Sequence, residues 1–74
     1  MIGHEPRYLV WFDDDKRKTD AQKALDGIAA YFARFGTRPL VVVCHVAIEL
    51  PELTVQVRAH VQPNNYWLGM EVLR

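Results

Sequence analysis

Cysteine occurs once, at Cys44, so an internal disulfide is excluded, and there is no second thiol for a CxxC redox motif or a thiolate zinc site. A lone thiol of this kind suits a reducing cytoplasm. Neither sign of charge is in excess: nine Lys/Arg stand against nine Asp/Glu. Binding that depends on neutralising phosphates needs a basic surplus gathered on one face, so nucleic acid is an improbable main partner. Long hydrophobic runs are also missing. The longest, at residues 8–12 and 40–44, fall far short of the roughly 20 residues that span a bilayer. Glu5 and Pro6 precede the first of them, where a secretory signal would carry a basic start and a longer apolar stretch, so neither export nor membrane insertion is expected. There is no repeat, low-complexity tract or linker, and the 74 residues read as one small α/β domain, 1–74. A chain of this size buries only about 60% of the surface its unfolded form exposes, which makes reinforcement by association a reasonable expectation from the outset.

What is present is a succession of short, well-marked segments. Tyr8, Leu9, Val10, Trp11 and Phe12 form a run rich in aromatic and β-branched residues that stops at Asp13, Asp14 and Asp15. It reads as a strand apolar on both faces. Thr19 and Gln22 fit a capping box, and Ala21, Ala24, Leu25, Ile28, Phe32 and Phe35 recur at steps of three and four, which predicts a helix from about Thr19. Gly27 weakens its middle, Gly36 supplies a left-handed stop and Pro39 prevents continuation. Leu40, Val41, Val42, Val43, Cys44 and Val46 form a second run without alternation, the pattern of a strand covered on both sides. Strand, helix and strand over this length predict a βαβ unit whose strands are parallel, either adjacent or with one strand between.

Residues 53–61 alternate cleanly, with Leu53, Val55, Val57, Ala59 and Val61 on one face and Thr54, Gln56, Arg58 and His60 on the other. Pro63, Asn64 and Asn65 then signal a turn, and residues 66–72 read as the antiparallel return of a hairpin. The expected fold is therefore a four-stranded mixed sheet in the order βαβββ, a βαβ unit followed by a β-hairpin, with one helix on one face.

One helix covers one face of a sheet. The other face needs cover, because the first two strands have no polar set to turn toward water. The cover could be the C-terminal segment, with Trp67 and Leu68 as a lid, or a second copy of the protein. The second copy is the reading adopted here, through an isologous interface of about 800 Å² per subunit.

Two other functions compete with an interaction module. Asp13, Asp14 and Asp15 sit where the first strand ends, the position at which α/β sheets bind ligands, and His45 ends the parallel second strand. Clustered carboxylates are a hard oxygen set that suits Mg²⁺, so these four residues form a candidate metal site for a metal-assisted hydrolase. The simpler reading is a solvated turn whose aspartates favour the helix N-terminus and are neutralised by Lys16, Arg17 and Lys18. Cys44 and His45 are adjacent strand residues that point to opposite faces, so they make a poor nucleophile and base pair. Arg58 and His60, with Tyr66 and Trp67 following closely, supply the polar and stacking groups of a weak single-stranded nucleic-acid surface, and equally of a protein-binding one.

Two resemblances bear on these readings. An acidic strand end before a helix resembles the opening of a response-regulator receiver domain, in which such aspartates hold Mg²⁺. Receivers also need a later phosphoacceptor aspartate and a lysine beyond it. Here only Glu49 stands near the second strand end and no lysine follows Lys23, so phosphotransfer is not expected. Over most of its length the chain resembles a group of short uncharacterised bacterial proteins with an Asp-rich turn, an "RFG..P" helix end and a "PN.YW.G" phrase, here at residues 11–15, 34–39 and 63–69. That resemblance implies a bacterial source and no particular activity.

Overall fold

The computed structural model describes residues 8–72. The chain runs β1 (Tyr8–Phe12), α1 (Asp20–Phe35), β2 (Val41–Cys44), β3 (Thr54–Val57) and β4 (Asn65–Gly69). The four strands form one mixed sheet with α1 on one face, as the sequence predicts, and their order is β1-β4-β2-β3. No helix among the described residues is long and apolar enough to cross a membrane.

The helix begins where its cap is built. The Thr19 hydroxyl accepts from the Gln22 N–H at 3.1 Å and the Gln22 side chain accepts from the Thr19 N–H at 2.8 Å, satisfying two of the amides a helix start leaves free. At the other end Gly36 takes the left-handed conformation (φ 72°) and its N–H closes on the Phe32 carbonyl at 2.8 Å.

The buried stripe differs from the one the periodicity predicts. Lys23, Ala24, Gly27, Ile28 and Tyr31 face the sheet, whereas Leu25, Phe32 and Phe35 lie exposed. The reason is close approach. A Cβ at Gly27 would sit 2.8 Å from Leu68 Cδ1 and 2.9 Å from Trp11 Cγ, so the missing side chain is what lets α1 lie down on β4 and β1. Gly27 is therefore a contact residue and not merely a weak point in the helix.

Register fixes which side chains share a face. Leu9, Leu68, Val42 and Val55 align across the sheet, as do Trp11, Tyr66, Cys44 and Val57. Apart from Val57, which is exposed at the sheet edge, these rows meet Ala24, Ile28 and Tyr31 of α1 and form the main core, joined by Leu50 and Ile48 from the β2–β3 connection. That connection, residues 45–53, joins parallel neighbours without a helix, where about a dozen residues or more are usual. It passes the same face in the same direction as the β1–α1–β2 crossover, so the two crossovers share one hand.

The predicted hairpin is not formed. β4 pairs antiparallel with both β1 and β2, and β3 pairs parallel with β2 at the far edge. β1 and β2 are thus parallel with one strand between them. β4 is apolar toward both faces, with Tyr66 and Leu68 on one side and Trp67 on the other, which suits an interior strand. Thr54 to Val57, with its polar positions, suits an edge. The predicted third strand also ends early, because Val61 N–H turns back to the Arg58 carbonyl at 3.1 Å and Asn65 N–H to that of Gln62 at 3.2 Å. Asn64 takes a left-handed conformation in the second turn (φ 68°). The turn signals in this stretch belong to a crossing and not to a hairpin loop.

Candidate interaction surface

The crossing settles much of what covers the second face. To reach β4 from β3, residues 58–64 pass over β2 on the side away from α1. There Val61 is fully buried against Val41 and Val43, with Tyr8 and Trp67 packed around it. His60, on the same segment, meets Trp67 edge-on with ring centroids 5.7 Å apart, and Tyr8 lies 6.1 Å from Trp67 on its other flank. The cover over the middle of the face is therefore the chain's own β3–β4 segment, which neither the preferred second copy nor the alternative C-terminal lid anticipated. Leu68 belongs to the helix side.

Among the described residues the cover stops short of β1. Val10 and Phe12 point to this second face and remain 55% and 60% exposed. β1 is also an edge: among the described residues no strand pairs with its outer side. Its five residues include no charge, proline or glycine, the usual devices that blunt a free edge. On the opposite face, Leu9 and Trp11 border a groove against Ala30, Ala33 and Arg34 of α1. Trp11 Nε1 is the one buried side-chain polar atom without a hydrogen-bond partner among the described residues.

A second apolar depression, of about 280 Å³, lies between α1 and the loops, lined by Leu25, Ile28, Leu40, Leu50, Pro51 and Leu53. Arg38 and Glu52 stand at it 4.0 Å apart, both well exposed, a geometry that contributes little.

The acidic turn is held together by its own lysine and arginine. Lys18 Nζ donates to Asp13 at 2.9 Å and to Asp26 at 2.7 Å, tying the turn to α1, and Arg17 grips Asp15 through Nε at 3.1 Å and Nη2 at 3.2 Å. The Lys18 hydrogen bond, helped by the Asp15 N–H, holds the Asp13 carboxyl below its ordinary range; Arg17 does the same for Asp15. Lys18 is raised in turn by its two carboxylates. Asp14 is exposed. His45 Nδ1 lies 2.9 Å from the Val61 carbonyl; a carbonyl only accepts, so Nδ1 carries the proton and the ring is turned to the crossing segment. Among the described residues no group of three or more His, Cys, Asp or Glu is placed to hold a metal ion.

The proposed stacking row is divided between faces. Trp67 and His60 meet on the second face, but Tyr66 is buried on the helix side, where its hydroxyl donates to Asp20 at 2.5 Å. Burial first, and Asp20 second, push the Tyr66 phenol above its ordinary value. Arg58 Nη1 folds back on the Val57 carbonyl at 3.0 Å. Cys44 is buried, its thiol raised by desolvation and donating to the Val46 carbonyl at 3.1 Å. Lys23, missed at the sequence level, is buried with Nζ donating to Asn64 Oδ1 at 2.9 Å, which pins the turn before β4 to the helix.

No protein-family model matches the chain, and no curated protein or solved structure is significantly similar to it.

Proposed function

We propose that this chain is a small noncatalytic interaction module that works as a homodimer through the part of the sheet that its described segments leave open. The observation that carries the reading is the exposure of Val10 and Phe12, at 55% and 60%, on a strand with no charged side chain, whose one hydroxyl, on Tyr8, already donates to the Glu71 carbonyl. Paired apolar side chains of this size on the second face favour burial at roughly 25 cal/mol per Å². A two-fold axis presents the same patch to itself, and a net charge of zero opposes no such approach. The single buried thiol is consistent with a reducing compartment such as the cytoplasm.

Sedimentation equilibrium over a wide concentration range tests this. The parent chain should reach twice the monomer mass, and a Val10→Lys, Phe12→Lys double variant should remain monomeric with an unchanged far-UV spectrum. A Phe32→Lys variant, on the exposed flank of α1, should dimerise like the parent. Loss of the dimer in that variant alone would move the interface off the sheet, and a parent that stays monomeric throughout would remove the proposal.

A further inference from the structure

The direction of the backbone groups along β1 identifies how a second copy joins it. The Asp13 N–H donates to the Asn64 carbonyl at 3.0 Å, toward β4. In an antiparallel ladder the N–H and C=O of successive residues alternate between the two sides of the strand. Those of Leu9 and Trp11 therefore face β4, while those of Tyr8, Val10 and Phe12 face outward from the edge.

We infer that β1 pairs antiparallel with β1 of a second copy about a two-fold axis at Val10, joining two four-stranded sheets into one continuous sheet. This rests on the homodimer reading and names its seam. The register is self-complementary. With Val10 opposite its own counterpart, Tyr8 opposes Phe12 of the other copy and Leu9 opposes Trp11. Val10 with Val10, and Tyr8 with Phe12, then fall at the positions where both partners exchange N–H···O=C bonds, since these are the residues whose groups face outward.

Side chains agree on both faces. Tyr8, Val10 and Phe12 from the two copies line up as aromatic and β-branched cross-strand pairs on the second face, where Val10 and Phe12 are now exposed. On the helix face the Leu9 and Trp11 pairs fall at non-hydrogen-bonded positions, where side chains approach most closely. That is the side on which the groove bounded by Leu9, Trp11, Ala30, Ala33 and Arg34 lies open. Aromatic residues opposite each other, aliphatic residues at the axis and no charge anywhere in the strand make the edge a match for itself. A partner strand of unlike sequence would have no reason to share that symmetry.

Proline at position 10 separates this seam from simple packing of faces. The Val10 N–H points away from β4, so proline there leaves the internal ladder intact, as edge strands allow, while removing a donor the seam requires. Val10→Pro should keep the parent far-UV spectrum and sediment as a monomer at concentrations where the parent is a dimer. If Val10→Pro dimerises like the parent while the Val10→Lys, Phe12→Lys variant does not, the copies meet face to face, and the seam is wrong although the homodimer stands. Amide exchange in the parent chain supplies a second readout that needs no substitution. Between dilute and concentrated samples the Val10 and Phe12 amides should gain about tenfold protection or more, with Leu9 and Trp11 unchanged. Protection that does not alternate along the strand, or does not depend on concentration, would overturn the inference.

Discussion

Gly27 shows how a residue with poor helical propensity can hold a helix in place. Alanine at that position would gain up to about 1 kcal/mol of helix propensity. Its methyl would also come within 3.0 Å of Leu68 and Trp11, and forcing extra atoms into a packed contact costs about 1–3 kcal/mol. Gly27→Ala should therefore lower the urea midpoint, the opposite of what a surface glycine would do. The acidic turn makes a separate prediction. Asp13 and Asp15 have folded-state values held below their ordinary 3.8, so their stabilisation is present above that value and is lost as pH falls through the lower, folded one. Thermal midpoints should fall on acidification below about pH 4, and Asp13→Asn should flatten that decline. The lysine and arginine pairing that produces these shifts was legible in the sequence, because Lys16, Arg17 and Lys18 follow the aspartates directly. The reach of Lys18 to Asp26 was not, since it depends on the angle at which α1 leaves the turn.

Helix α1 was readable nearly to its ends, because both signals that define it are local: a Thr19/Gln22 box and a glycine stop. Thr19→Ala should cost about 1 kcal/mol of stability, measured by denaturant unfolding, because the Gln22 N–H loses its hydroxyl acceptor while the Gln22 side chain keeps the backbone N–H of residue 19. Which stripe of the helix is buried was not readable. Leu25, Phe32 and Phe35 are more hydrophobic than Lys23, Gly27 and Tyr31, yet the sheet selects the side that can come closest, and small residues decide that. The strands divide in the same way. Their existence follows from composition, with β1 and β2 apolar on both sides. Their order depends on where β4 goes, and the turn at residues 58–61 is hidden by the clean alternation of 53–61, which leaves the single turn signal at 63–65 looking like a hairpin loop. The more telling signal was the lack of any polar alternation in Asn65–Gly69, which marks an interior strand. The candidate binding row is divided because Tyr66 and Trp67 are neighbours in a strand and so face opposite ways.

At the scale of the molecule, among the described residues one helix and one crossing segment cover the middle of a two-faced sheet and leave an apolar border along β1. Contact between two such borders is carried by apolar area and backbone hydrogen bonds, neither of which is screened by ions as exposed charge pairs are. Raising sodium chloride from 50 to 500 mM should accordingly leave the dimer dissociation constant within about a factor of two, by sedimentation or by dilution monitored through tryptophan fluorescence. An association held by charged patches would weaken steeply over the same range. The placement of β4 between β1 and β2 also governs when the protein can acquire its shape during synthesis. With β4 the last of the four to be made, β1 has no neighbour in the sheet until translation has passed Gly69, whereas β2 and β3 can pair before then. Until then the apolar residues of β1 have no sheet partner, and protection by a holding chaperone matters most at that stage.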